Sequence, residues 1–335
     1  MNATAAVIDS YDAVLFDLDG VIYLGPVAVP GAPEGIAQLH DRGVKIGFVT
    51  NNAARPPVAV ADHLIELGIP ATAADVVTSA EAATHLLIKR FGAGARILAV
   101  GGEGVTVALS EAGLVPVHSA DEHPLAVIQG YGFDLRWQEL NEAAIAIHRG
   151  AYWVATNIDP TRPTERGLVP GNGAAVAAVK MAVQSEPEVA GKPYRPLLDD
   201  TVERLGAQNP LFVGDRLDTD IAGAGNAGLD SMLVLSGSHR AEQLLAAPPG
   251  ERPTHIGDDL RALLRPALVI TRTNSEFRCG QASASEVAGR LMIHSNGSTV
   301  IESIWAAAHA TWWAVDHGVA LDWRHALEKL RQPLR

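Results

Sequence analysis

Three short apolar runs, far apart in the chain, each stop abruptly at small polar residues. Ala13-Val14-Leu15-Phe16 ends at Asp17, Val44 to Val49 ends at Thr50-Asn51-Asn52, and Leu211-Phe212-Val213 ends at Gly214-Asp215. Such runs, apolar without alternation, suit strands buried on both faces, as in a parallel sheet. Helical patterns lie between them: Pro33 to Arg42 stopped by Gly43, Val58 to Leu67 stopped by Gly68, Pro196 to Leu205, and Asp218 to Ala227. A further strand is expected over Ser231 to Leu235. Alternating strands and helices predict an α/β fold with a doubly wound, Rossmann-like parallel sheet. Ligands of such sheets bind at the carboxyl ends of the strands, so the three polar stops are expected to converge there.

A block over 83–184 interrupts this pattern with strands of its own (Arg96 to Val100, Leu125 to Gln129, Trp153 to Ala155) and its own helices. It reads as an inserted α/β cap, a lid over the strand ends, which leaves 1–82 and 185–264 as one core. A chain of 335 residues exceeds what one hydrophobic core usually covers, in line with that division. After about residue 265 the texture changes. Ala267 to Thr271 and Arg290 to His294 look like strands, Ser295-Asn296-Gly297 like a turn, and Ser303 to His317 like a helix. This small α+β appendage, 265–335, is too short for an independent core and is expected to pack on something else. Trp305, Trp312 and Trp313 are expected to pack that helix, and Cys279 to be buried.

Charge narrows the function. Lysine and arginine number 26 against 38 aspartate and glutamate, a formal net charge of -12, which disfavours nucleic acid or an anionic membrane as partner. The single cysteine excludes an intrachain disulfide and a cysteine-based zinc cluster. The N-terminus does not read as a signal peptide, and no run approaches the ~18 apolar residues of a membrane helix. A cytoplasmic location is expected, with a homo-oligomer possible.

The wording of the polar stops carries more. Asp17-Leu18-Asp19-Gly20-Val21-Ile22-Tyr23, Val49-Thr50-Asn51-Asn52, Gly191-Lys192-Pro193 and Gly214-Asp215-Arg216-Leu217-Asp218-Thr219-Asp220 resemble, in order, the four motifs of the haloacid dehalogenase superfamily. The likeness spans about residues 10 to 262 and favours the subfamily with a large cap between the second and third motifs, which includes phosphoglycolate, pyridoxal phosphate, nucleotide and glycerol 3-phosphate phosphatases. It implies a phosphomonoester hydrolase that works through an aspartyl-phosphate. Asp17 is then the nucleophile, and Asp19, two residues on, shares its face of an extended backbone and serves as acid and base. A carboxylate approaching a phosphate dianion at about 4 Å faces roughly 8 kcal/mol of repulsion at an effective dielectric near 20. Mg2+ held by Asp17, Asp215 and the main-chain carbonyl of Asp19 is the expected remedy. Lys192 is expected to neutralise charge. The Thr50 hydroxyl and the amides of Asn51 and Asn52 are expected to bind the phosphoryl group, and Asp220 to support the metal from behind. Asp218 is either a helix cap or an indirect ligand, the cap being the simpler reading.

Other candidates are less marked. Arg55 either reaches the substrate or lies on the surface. Asn157 and Asp159, in Ala155 to Pro160, either set specificity or form an Asx-turn before the proline. In Pro170-Gly171-Asn172-Gly173 the glycines are expected to serve tight backbone geometry. Gly101-Gly102-Glu103-Gly104 is expected to turn a strand into a helix rather than to bind phosphate. Gln129 to Arg136 departs in spacing from the family's cap sequence. Among small phosphate esters the resemblance leans towards glycerol 3-phosphate, then phosphoglycolate. A binding or regulatory protein without turnover is the reading of a different class. It would be expected to have lost Asp17, Asp19, Lys192 or Asp215, and all four are present.

Overall fold

The computed structural model describes residues 5–164 and 166–330. Its contacts divide the chain into two compact units, one formed by 5–24, 28–44 and 209–330, the other by 25–27 and 45–208.

In the first unit the strands Ala13–Asp17, Pro210–Gly214, Asp230–Val234 and His255–Gly257 lie side by side, all parallel. Phe16 stands opposite Val213, and Val213 opposite Met232. Ala13–Asp17 and Pro210–Gly214 are buried along their whole length, which explains the unbroken apolar runs. Helix Ala32–Asp41 falls within one residue of its expected span. The segment expected as one helix from Asp218 begins instead as a wide turn, Leu217–Ile221, with i→i+5 bonding, and only Ala222–Ala227 is α-helical. Main-chain demand causes the change: the N–H groups of Asp215 and Arg216 are taken by the Asp220 carboxylate, at 3.1 Å each.

The C-terminal part of this unit is a four-stranded antiparallel sheet, Ile270–Thr273, Glu276–Cys279, Ala282–Val287 and Arg290–Ser295, crossed by helix Val300–Asp316. The helix starts at a capping box, in which Thr299 Oγ1 accepts the Glu302 N–H and Glu302 accepts the Thr299 N–H. One apolar cluster joins Ile304, Trp305 and Trp312 of that helix to Leu233, Leu235, Leu244 and Leu245. Trp312 Nε1 donates to the Leu244 carbonyl at 2.9 Å. The appendage therefore shares its core with the parallel-sheet strands of its unit. Two of its strands, Glu276–Cys279 and Ala282–Val287, go beyond the expected pair, and the first begins at Ile270 rather than Ala267. The shift has a local cause, because Pro266 bridges back to Ala6 and the Leu268 carbonyl accepts the Trp305 indole N–H.

The second unit contains the parallel pair Lys45–Thr50 and Val76–Thr78, and a five-stranded parallel sheet in the order Glu188–Val189, Tyr152–Ala155, Ala126–Gln129, Arg96–Val100, Val115–Val117. Helices Glu103–Glu111, Trp137–His148 and Asn172–Lys180 accompany that sheet. Thr161–Thr164 and Gly167–Pro170 form a hairpin. Helix Ser79–Phe91 starts at a Thr78–Glu81 capping box, and Pro196–Leu205 spans the residues expected. Among the described residues no helix is long and apolar enough to cross a membrane.

Candidate active site

Asp17 closes one strand and Asp215 follows the strand beside it, so the paired ladder carries both carboxylates to the same end of the sheet. Asp220 joins them from the wide turn. One carboxylate oxygen from each of the three lies within 4.8 Å of the others. Asp17 is 9% exposed, Asp215 0% and Asp220 1%. The surroundings hold these groups by main-chain donors. Asp215 Oδ2 accepts the Ser238 N–H at 2.5 Å, and Asp220 Oδ2 accepts the two N–H groups already given. Space is just as strict. A Cβ on Gly237 would stand 2.0 Å from Asp215 Oδ2, one on Gly20 2.3 Å from it, and one on Gly214 2.2 Å from the Asp220 Cβ. Gly20 also has φ +89, a region that favours glycine.

Three carboxylates this close, at an effective dielectric near 20, repel by roughly 3–4 kcal/mol per pair. An all-oxygen, mostly buried donor set of that kind fits a hard divalent cation such as Mg2+, which takes a few carboxylates and completes its shell with other oxygens. Asp19 is not one of these three carboxylates. Its side chain is exposed, and its backbone bridges to Tyr23 across a turn in which the Gly20 N–H donates to the Tyr23 carbonyl. Asp218 is not a cap. Its carboxylate takes both Nε and an Nη of Arg216, at 3.1 and 2.7 Å. Nearby, His239 Nδ1 accepts the Leu217 N–H at 2.9 Å, and burial pushes its imidazole below the ordinary value.

In the second unit, Thr50 ends its strand 4% exposed, and its hydroxyl oxygen accepts the Asn52 N–H at 3.1 Å. The Asn52 amide expected to bind phosphoryl oxygen is therefore engaged within its own loop, and Asn52 Oδ1 accepts the Ala54 N–H. The Asn51 side chain faces Lys192: Oδ1 accepts the Lys192 N–H at 2.8 Å, and Nδ2 donates to the Lys192 carbonyl at 3.0 Å and to Asp159 Oδ2 at 3.1 Å. Lys192 is 1% exposed, whereas Arg55 is exposed. Asn157 forms the expected Asx-turn. Its Oδ1 accepts the Asp159 N–H, an Asx-turn, and its Nδ2 donates to the Asn51 carbonyl at 2.7 Å. The cap glycines serve close approach, as expected: a Cβ on Gly171 or Gly173 would come within 2.3 Å of the Asp159 or Ile158 carbonyl oxygen. Gly101 to Gly104 joins strand Arg96–Val100 to helix Glu103–Glu111 and packs on Ala53 to Arg55.

Several contributors have no sequence-level signal of their own. Ser79, whose Oγ donates to the Asn51 carbonyl, looks like any first residue of a capped helix. Ser238 and Gly237 were more accessible to inference, since Ser236-Gly237-Ser238 is a fourth polar stop after an apolar strand.

These features define a class, a parallel α/β protein with an acidic cation site at its strand ends. Residues 14–115 match the family described as haloacid dehalogenase-like hydrolase, and residues 189–263 match a second HAD-hydrolase-like family. D-glycerol 3-phosphate phosphatase of Mycobacterium tuberculosis is 48% identical over 258 residues, 77% of this chain and 72% of that protein. An acid sugar phosphatase of Staphylococcus aureus is 37% identical over 236 residues, 70% of this chain and 90% of that one. The crystal structure of glycerol phosphate phosphatase from M. tuberculosis in complex with magnesium superposes with a TM-score of 0.86 at 40% identity, over 97% of this chain and 98% of that chain. The chain belongs to the haloacid dehalogenase-like hydrolases.

Proposed function

We propose that this chain is a Mg2+-dependent phosphomonoester hydrolase of small phosphorylated metabolites, with glycerol 3-phosphate as its preferred substrate. The observation that carries the reaction class is the buried group of Asp17, Asp215 and Asp220. Similarity to a glycerol 3-phosphate phosphatase supports the substrate.

In this reading Asp17 attacks phosphorus, the ester P–O bond breaks, and Asp19 gives its proton to the departing alkoxide oxygen. Asp19 then takes a proton from the water that attacks the aspartyl-phosphate. That second attack breaks the bond between phosphorus and Asp17, releases inorganic phosphate and restores the Asp17 carboxylate. Asp17, Asp215 and the Asp19 carbonyl are the residues to hold the cation, with Asp220 fixing the main chain around Asp215. When bound, Mg2+ supplies the positive charge that lets an anionic nucleophile approach an anionic ester. Thr50, the Asn51 amide and Lys192 are assigned to the phosphoryl oxygens. The Asn52 amide is left out of that set because Thr50 already accepts its hydrogen. Residues 83–184 are assigned to the substrate's non-phosphate end, as a lid over a core of 1–82 and 185–264.

The test is phosphate release with Mg2+ from glycerol 3-phosphate, 2-phosphoglycolate, pyridoxal 5'-phosphate and a nucleoside monophosphate. Glycerol 3-phosphate is expected to give the highest kcat/KM. A nucleotide or pyridoxal phosphate in first place overturns the substrate, and no release from any ester overturns the class.

A further inference from the structure

A carboxamide has two N–H hydrogens and one oxygen, and in Asn51 the protein has claimed both donors. One hydrogen of Nδ2 goes to the Lys192 carbonyl at 3.0 Å and the other to Asp159 Oδ2 at 3.1 Å, while Oδ1 accepts the Lys192 N–H at 2.8 Å. The Lys192 main chain is thus clasped on both sides by one side chain. The clasp is itself braced, since the Asn51 carbonyl accepts from Ser79 Oγ and from Asn157 Nδ2, each at 2.7 Å. There is no slack in it either. A Cβ on Gly191 would meet Asn51 Oδ1 at 2.6 Å and the Thr156 carbonyl oxygen at 2.5 Å.

We propose that the Asn51 side chain is a positioning residue for Lys192, and that its bond to Asp159 makes the seating of the 156–160 loop part of that positioning. The proposal rests on the assignment of Lys192 to phosphoryl charge made above. With both donors committed, the Asn51 side chain has none left for a phosphate oxygen. What it fixes is the backbone from which the buried Lys192 ammonium is aimed. Asp159 then acts through Asn51: its carboxylate holds the Nδ2 hydrogen that keeps the carboxamide in its clasping orientation. A loop of the inserted block is in this way wired, through Asn51, to the main chain of the lysine of the catalytic motif.

A double-mutant cycle in the full-length enzyme with Mg2+ and glycerol 3-phosphate tests this. Because small misplacements of a charged group cost about 10²-fold, Asn51→Ala is expected to lower kcat by roughly that factor, with KM changed less than about threefold. In a Lys192→Ala background the same change is expected to alter kcat less than about threefold, because the lysine it serves is gone. Equal losses in both backgrounds overturn the proposal and return Asn51 to the phosphate or to general stability. If Asn51→Ala fails to fold, a size-preserving pair decides. Asn51→Asp keeps the acceptor for the Lys192 N–H but sets a second carboxylate against Asp159, and adding Asp159→Asn restores a donor across that contact. At least about tenfold recovery of kcat in the pair over Asn51→Asp is expected, and no recovery overturns the proposal. Asp17→Asn measured in parallel separates the two levels. If it still turns over, the mechanism above fails. If it is inactive while the cycle is additive, only the positioning role fails.

Discussion

Asp17 and Asp215 meet because the strands that carry them pair in register, Phe16 opposite Val213, and both chains leave the ladder at the same level. The meeting of Asp17 and Asp215 is therefore a consequence of sheet geometry, and Asp220 joins them from the wide turn that follows. Space at the site explains why glycines crowd it. Side chains would occupy the space that the Asp215 carboxylate fills.

Gly237→Ala tests this cradle. The added methyl would lie 2.0 Å from Asp215 Oδ2, and Gly237 is not at positive φ, so the change acts through space and not backbone strain. The variant is expected to bind Mg2+ at least about tenfold more weakly, since displaced ligands and their supporting contacts typically cost 10–100-fold in metal affinity. Isothermal titration with Mg2+ and the Mg2+ dependence of phosphate release measure it. Unchanged Mg2+ affinity contradicts the packing described.

The appendage is expected to be inseparable from the parallel-sheet strands of its unit. Ending the chain after Leu264 removes Trp305 and Trp312 and uncovers Leu233, Leu235, Leu244 and Leu245, which share one cluster with them. The shortened chain is expected to aggregate, measured as the soluble fraction and by size-exclusion chromatography. Within the full chain, Trp312→Ala is expected to cost about 3–5 kcal/mol in urea unfolding, the range for truncating a large buried aromatic. It also removes the indole donor from the Leu244 carbonyl, which keeps only main-chain partners such as the Ala247 N–H at 3.2 Å.

His309 gives this region a pH dependence. Its ring lies against Trp305 and Trp312, at centroid distances of 4.5 and 5.0 Å, its Nε2 is buried without a hydrogen-bond partner, and burial pushes its pKa down to about 4. The folded protein keeps this imidazole neutral to about that pH, whereas the unfolded chain takes the proton near 6.5. Between those values the unfolded state binds more protons, so stability falls as pH drops from about 6.5 towards 4. Between pH 7 and pH 5 the His309 contribution is about 2 kcal/mol. Urea unfolding of the wild type and His309→Leu at both pH values measures it. The variant should lose about that much less on acidification, and equal losses contradict the assignment.

The parts of this protein that were legible in its sequence are those where one physical demand acts alone. The strands ending at Asp17, Thr50 and Gly214 declare themselves because burial on both faces leaves no polar residue, once past the exposed Lys45 that opens the second, until the chain reaches the rim. Strands Glu276–Cys279 and Ala282–Val287 were hidden because their inward positions are one phenylalanine, one cysteine and two alanines, too small a contrast with the serines and charges between them. Asp218 looked like a cap because its spacing is right for one, but a bidentate arginine two residues away outcompetes the main chain for its carboxylate. For Asn157 the sequence offered both specificity and an Asx-turn before Pro160; the Asx-turn is formed, whereas its bond to the Asn51 carbonyl joins residues too far apart in the chain for a linear pattern to show.

The central claim is that Asp17 becomes phosphorylated during turnover. Rapid-quench mixing of the enzyme and Mg2+ with 32P-labelled glycerol 3-phosphate, followed by acid trapping and peptide mapping, tests it directly. Label is expected on the peptide containing Asp17, formed and lost fast enough to account for turnover, and Asp17→Asn should show neither label nor phosphate release while keeping its fold. Turnover that persists in Asp17→Asn, or label confined to another residue, contradicts the account.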